Sequence, residues 1–248
     1  MRVLLLGGTT EASHIGRELA AAGVTGVFSY AGRTATPIAQ PMPTRVGGFG
    51  GVDGLAEYLR REAITHVIDA THPFASQISR NAIEACGQTG TPLIAYAREP
   101  WVAGPDDRWR HVRTIEEAVA ALPDRPARIF LAIGKQHLRE FAVQSQHFYL
   151  LRLVDAPATG LPLPNAEIVL ARGPFTTAGD LALLRSHRIT HVVARNAGGE
   201  GAKAKLEAAR VLGLPVIMIE RPSLPERRTA HNVNQIMHWL HHSACLGV

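Results

Sequence analysis

Three short stretches of the chain carry residue types suited to chemistry. The first is Leu6-Gly7-Gly8-Thr9-Thr10-Glu11-Ala12, where an apolar run meets a glycine pair and then a helical pattern. A glycine-rich turn between a strand and its helix lets backbone N–H groups approach a phosphate at the helix N-terminus, and Thr9 and Thr10 add hydroxyl donors. The pattern departs from G-x-G-x-x-G, because Thr9 and Ala12 stand where the second and third glycines would be; a tight turn capped by threonine accounts for the same residues. The second stretch, Phe28-Ser29-Tyr30-Ala31-Gly32-Arg33, ends without the acid that usually holds a ribose 2′-hydroxyl. Ser29 and Arg33 suit a 2′-phosphate instead, which points to NADPH rather than NADH. The third stretch is Asp69-Ala70-Thr71-His72-Pro73-Phe74. Pro73 fits a first helical position with Thr71 or His72 as its cap. The sharper reading sets Thr71 and His72 beside a nicotinamide, since ligands of open α/β sheets sit at the strands' carboxyl ends.

The second half offers basic residues in place of glycines. Its first loop reads Ile133-Gly134-Lys135-Gln136, and a lysine at a helix start opposes the macrodipole unless an anion is bound there. Arg152, Arg172, Arg195, Lys203, Lys205 and Arg221 also fall near expected strand ends or helix starts, around the turn Asn196-Ala197-Gly198-Gly199-Glu200-Gly201. A solvated charged face accounts for any one of them; together they suit a polyanionic ligand. None of the four tyrosines has a lysine four residues on, and Gly134-Lys135 lacks the upstream glycine of a P-loop. No metal site is expected: neither cysteine has ligand spacing, and His231, His238, His241 and His242 read as an exposed terminal helix.

These residues need a scaffold, and the hydrophobic pattern supplies one. Short apolar runs, Val3–Leu6, Gly26–Tyr30, His66–Asp69, Leu93–Tyr96, Ile129–Ile133, Phe148–Leu153, Ile168–Leu170, His191–Ala194 and Val216–Ile219, alternate with amphipathic stretches. The helical stretches are Glu11–Ala22, Asp53–Glu62, Ala75–Cys86, Gln136–Val143, Thr177–His187 and Lys203–Leu212. Alternation of this kind predicts an α/β fold with parallel sheets. Ile64-Thr65-His66-Val67 returns 125 residues later as Ile189-Thr190-His191-Val192, and two further pairs repeat at offsets of 126 and 123. Two Rossmann-like domains related by an internal repeat follow: residues 1–112 to hold NADPH and residues 113–248 to hold the anionic ligand, with a proline-marked linker over 106–128.

At 248 residues and 46% hydrophobic composition the chain has material for one or two cores, which excludes disorder. No window approaches 18 consecutive apolar residues and the first run is too short for a signal peptide, so no membrane association is expected and the setting is read as cytoplasmic. Two cysteines, Cys86 and Cys245, read as free thiols. A net charge of +5 favours anionic ligands, but no recognition motif, stacked-aromatic motif or basic run supports nucleic acid.

The segments Leu5-Leu6-Gly7-Gly8-Thr9-Thr10-Glu11, Ala31-Gly32-Arg33, Val46-Gly47-Gly48-Phe49-Gly50-Gly51, Asp69-Ala70-Thr71-His72-Pro73-Phe74-Ala75 and Arg172-Gly173-Pro174-Phe175 resemble the precorrin-6A reductases of cobalamin biosynthesis. Gly198-Gly199, Ala204-Lys205-Leu206 and Pro215–Ile219 extend the resemblance over nearly the whole chain. It departs at Arg195-Asn196-Ala197-Gly198-Gly199, where the family commonly has Lys-Asn-Ser-Gly-Gly. The resemblance implies hydride transfer from NADPH to a polycarboxylate tetrapyrrole, precorrin-6A, yielding precorrin-6B. Joined to the reading of the loops above, this sets Gly7, Gly8, Thr9, Thr10, Glu11, Ser29, Arg33, Thr71 and His72 at the cofactor, with His72 as candidate proton donor. Lys135, Arg172, Arg195, Gly198, Gly199, Lys203 and Lys205 then face the substrate, and no metal is needed. A non-catalytic NADPH-sensing regulator on the same scaffold is the alternative from another class.

Overall fold

Strand β1 (Arg2–Leu6) is apolar at every position after the first because both of its faces are covered. Val3 and Leu5 join one buried cluster, with Ile15, Leu19, Phe28, Ile236 and Trp239. Leu4 and Leu6 join another on the opposite face, with Leu55, Leu59, Val67 and Ala82. The computed structural model describes residues 1–32, 38–157 and 160–245, the side chains of 243–245 excepted. From β1 the chain continues through α1 (Thr10–Ala21), β2 (Thr25–Tyr30), β3 (Thr44–Val46), α2 (Gly51–Arg61), β4 (His66–Asp69), α3 (Ser76–Thr89) and β5 (Leu93–Tyr96). There follow β6 (Arg108–Val112), α4 (Ile115–Ala120), β7 (Arg128–Ala132), β8 (Phe148–Leu153), β9 (Ala166–Leu170), α5 (Thr177–Ser186), β10 (His191–Arg195), α6 (Ala204–Val211) and β11 (Pro215–Ile219). The chain closes with β12 (Thr229–Ala230) and α7 (Val233–Cys245).

Two parallel sheets result, ordered β12-β5-β4-β1-β2-β3 and β6-β11-β10-β7-β8-β9. The orders superimpose strand for strand, as the repeat predicts. The equivalence extends to side chains. The Arg2 amide donates to Thr65 Oγ1 at 2.9 Å and the Arg128 amide to Thr190 Oγ1 at 3.1 Å. Ala63 and Arg188, with φ of 47° and 49°, are the two positive-φ non-glycine residues among those described, and each ends the turn leading into this motif.

The expected boundaries are corrected in one instructive way. The compact units are Met1–Arg98 with Pro222–Val248, and Glu99–Arg221, rather than 1–112 and 113–248. The sixth strand of each sheet is exchanged: β6 follows β5 in sequence yet pairs with β11, whereas β12 follows β11 and pairs with β5. The helices that follow these two strands open alike. Glu117 N–H donates to Thr114 Oγ1 and Gln235 N–H to Asn232 Oδ1, while the Glu117 and Gln235 side chains reach back to the amides of Arg113 and His231. The expected linker over 106–128 is therefore largely β6 and α4.

Two local expectations also change. The amphipathic stretch 136–143 is a turn and a 3₁₀ helix, Arg139–Val143, so Lys135 does not start an α-helix. Helix α3 begins at Ser76, after a turn through Pro73, so neither Thr71 nor His72 caps it.

Candidate active site at the switch point of the first sheet

In the first unit the chain leaves β1 for β2 and β3 on one side and β4 and β5 on the other, so strand order reverses between β1 and β4. In open α/β sheets loops diverge at such a point and ligands sit beyond the strands' carboxyl ends. The Gly7–Thr10 turn and the Ala70–Phe74 loop come together there. Thr9 joins them: its hydroxyl donates to the Ala70 carbonyl at 2.8 Å and accepts the Ala12 amide as cap of α1. Gly7 is required, because a Cβ would stand 2.2 Å from the Phe28 ring. Gly8, at φ +111°, has open space where a side chain would be. The amides of Thr10 and Glu11, in the first turn of α1, lack intrahelical acceptors by geometry. Backbone donors beside open space at a helix N-terminus fit a pyrophosphate. Glu11 would oppose an anion there, but Arg98 binds its carboxylate at 2.6 Å.

One strand away, Ser29 is buried at the end of β2 and its Oγ accepts from Arg45 Nη1 at 2.9 Å. Arg45, on β3, also donates to the carbonyls of Gly47 and Gly48 at 2.9 Å and lies 3.7 Å over the Phe49 ring. The expectation placed on Arg33 lies outside the described residues. Among the described residues Arg45 is the cation beside Ser29, and a strand of only three residues has no periodicity that would single it out.

Beyond β4, Thr71 turns inward. Its hydroxyl and amide both bind Asp69 Oδ1, at 2.7 and 3.2 Å. His72 is exposed, and its Nδ1 accepts the Phe74 amide at 3.2 Å. That bond places the proton of a neutral ring on Nε2.

The second unit repeats the switch point between β7 and β10 but fills it differently. Gly134 and Lys135 are exposed in a turn, and Arg172 is exposed after β9. Arg195 ends β10. Arg152 occupies the position equivalent to Ser29; its guanidinium pairs with buried Asp180 and stacks 3.5 Å over Phe175. Gly198 (φ +66°) passes so close to Glu99 that a Cβ would meet its carbonyl at 2.1 Å, and Gly199 accepts the Trp101 indole N–H. Arg221 donates to the Asn196 and Ala197 carbonyls, and Lys203 lies 3.9 and 3.8 Å from Glu200 and Glu207. Lys205 is buried: it donates to the Ala202 carbonyl and sits 4.7 Å over Trp101. Burial first, then Arg152, pulls its pKa down to about 8 against the pull of Asp180. The basic residues thus share the carboxyl edge of one sheet, but Arg152, Arg195, Lys203, Lys205 and Arg221 are engaged in internal contacts. Among the described residues no three His, Cys, Asp or Glu side chains converge as a metal site, and no helix is long and apolar enough to cross a membrane.

Comparison with known proteins agrees with this architecture. The family described as Precorrin-6x reductase CbiJ/CobK matches residues 2–241. The precorrin-6A reductase of Rhodobacter capsulatus is 63% identical over 96% of this chain and 95% of its own. That of a Sinorhizobium species is 49% identical over 96% and 94%. The cobalt-precorrin-6A reductase of Priestia megaterium is 29% identical over 96% and 97%. A solved structure of "CobK precorrin-6A reductase" superimposes with a TM-score of 0.94 at 62% identity, covering 98% of this chain and 96% of that one.

Proposed function

The chain belongs to the precorrin-6x reductase family, and on that footing we propose that it reduces the macrocycle of precorrin-6A to precorrin-6B with NADPH as hydride donor. Identities of 63% and 49% with precorrin-6A reductases, against 29% with a cobalt-precorrin-6A reductase, favour the metal-free substrate. The observation that carries the cofactor's placement is the contrast between the two β-strand ends. Of β1 and its counterpart β7, β1 alone runs through glycines into an α-helix, while the matching ribose position in the second unit is filled by the Arg152–Asp180 pair.

When bound, the nicotinamide supplies the hydride; the protein supplies position, charge and a proton. Gly7, Gly8, Thr9, Thr10 and the start of α1 hold the pyrophosphate. Arg45 orients Ser29 toward the adenosine ribose, and Arg33 and Arg45 share the 2′-phosphate. Thr71 and His72 would lie at the nicotinamide; His72, on taking up a proton at Nδ1 and releasing the Phe74 amide, is an imidazolium that would give its Nε2 proton to the reduced ring system and return to the neutral ring. The carboxylates of the tetrapyrrole are met by Lys135, Arg172 and Arg195 on the second unit. Gly198, Gly199, Lys203 and Lys205 act there by shaping the loop after β10. The protein works in the cytoplasm. The deciding assay mixes purified protein with precorrin-6A and either NADPH or NADH under anaerobic conditions. Substrate-dependent oxidation of NADPH, faster than that of NADH, is expected; oxidation of neither cofactor overturns the reading.

A further inference from the structure

The Asp69 carboxylate is 1% exposed and takes four hydrogen bonds from three segments. Oδ1 accepts the Thr71 hydroxyl and amide; Oδ2 accepts Ser79 Oγ of α3 at 2.6 Å and Arg227 Nη1 at 2.7 Å. Burying a carboxylate requires such compensation, and Arg227 is the cation that provides it. Arg227 does not belong to the first stretch of chain at all. It lies in the segment that re-enters the first unit after residue 221, tethered nearby by Arg80 to the Ser223 carbonyl at 2.7 Å and by Ala95 N–H to the Arg228 carbonyl.

The bonding has a directional consequence. A hydroxyl has one proton and two lone pairs. Thr71 spends its proton on Asp69, so toward a ligand its oxygen can only accept. A carboxylate at position 69 enforces that polarity, because it has no proton to give.

We propose that Arg227 is a positioning residue for the reaction. By fixing the Asp69 carboxylate it commits the Thr71 proton inward and leaves Thr71 Oγ1 as an acceptor for an N–H donor such as the carboxamide of a nicotinamide. This rests on the placement of the dinucleotide in the first unit. Arg227 acts through Thr71, so it controls the orientation of the reactive ring more than the affinity for the cofactor as a whole.

The test is a cycle of Thr71→Ala, Arg227→Gln and the double variant in the full-length protein, with Arg227→Lys as rescue. Misorientation of a reacting ring costs on the order of 10²-fold in rate. Each single variant should lower kcat by about that factor and change the Kd for NADPH far less. The double variant should be no slower than the worse single, and Arg227→Lys should regain most of the rate. Losses that multiply in the double variant, or an Arg227→Gln enzyme with normal kcat, overturn the proposal. Should Arg227→Gln fold poorly, Asp69→Asn with Arg227→Gln removes both charges. That pair should restore thermal stability while kcat stays low, and recovery of kcat counts against the proposal. Gly8→Ala separates the two levels. If it weakens NADPH while the Arg227 variants behave as wild type, only this inference falls. If Gly8→Ala leaves NADPH binding unchanged, the placement of the cofactor falls and this inference with it.

Discussion

Strands β1 and β7 hold the same place in matching sheets and meet the same Thr-His motif beside them, yet the chain does opposite things at their ends. After β1 two glycines lead at once into a twelve-residue helix with open first-turn amides. After β7 the chain makes an exposed turn bearing Lys135 and then only a 3₁₀ helix. The strands alongside differ in the same sense. Ser29 of β2 accepts from an arginine of the neighbouring strand, whereas its counterpart Arg152 is closed by its own buried acid. A duplicated fold keeps its sheet register because many packed residues demand it. Its ligand preference rests on a few loop residues that packing does not constrain.

The largest effect expected from testing this contrast is on stability. The Arg152–Asp180 pair has side chains only 9% and 4% exposed, so Arg152→Met strands a buried carboxylate and should cost ~3–5 kcal/mol in denaturant titration. Adding Asp180→Leu should recover most of it. A drop in NADPH affinity with stability intact would mean instead that the second unit binds the dinucleotide.

Next comes His72→Ala. Loss of a general acid typically costs ~10²-fold or more in kcat, and wild-type turnover across the pH range would leave solvent as the proton source. Cofactor choice follows. A guanidinium is suited to a phosphate, so Arg45→Ala and Arg33→Ala should each raise KM for NADPH by roughly tenfold, the cost of about 1.4 kcal/mol, and barely touch NADH. Equal changes for both cofactors would remove the 2′-phosphate from this end of the sheet.

The repeat-related histidines His66 and His191 give a smaller, pH-dependent difference. Burial lowers the pKa of both below the usual 6.5, His66 with help from the N-terminal charge and His191 from His147 and Arg108. Unfolded histidine takes up its proton near 6.5, ahead of the folded form. The stability from keeping these rings neutral is therefore whole above that pH and drains as pH falls below it. His66 is 1% exposed and packs edge-on against Trp239, whereas His191 is half-buried. His66→Phe should flatten the acid limb of a Tm-versus-pH curve more than His191→Phe, and identical curves would equalise the two sites.

The smallest effect belongs to Lys135→Ala: a several-fold weaker tetrapyrrole affinity at low salt, fading as the Debye length shrinks from about 10 Å at 0.1 M to about 3 Å at 1 M. NADPH affinity should be unaffected. The reverse outcome would exchange the roles of the halves.

The central strands of both sheets were legible because parallel strands covered on two faces read as continuous apolar runs. The outer ones were not. Strand β6 is Arg108-Trp109-Arg110-His111-Val112, too polar for a buried run, and β12 has two residues. Without them the exchange between sheets cannot be seen, and the boundary is drawn in the wrong place. Arg45 is hidden in the same way on β3, three residues set between Pro43 and Gly47. The stretch 136–143 was read as α-helix because Leu138 and Phe141 recur three apart, a spacing that a 3₁₀ turn satisfies equally. Glycine loops at strand ends were visible as composition. That Lys205 points inward was not, since burial of a lysine depends on the Trp101 and Ala202 that tertiary folding brings to it.

The exchanged sixth strands also set an order of events on the ribosome. The first sheet has five of its strands once Tyr96 emerges, but its β5 edge stays unpaired until Thr229 and Ala230 arrive. The apolar face that Ile236, Trp239 and Leu240 cover stays bare with it. Roughly 130 residues of synthesis intervene, about 7–27 s at ordinary elongation speeds. During that interval the second unit, later in sequence, gains its full set of strands first. Nascent chains stalled before β12 are thus the ones that should engage chaperones, displaying an open strand edge beside an uncovered apolar face.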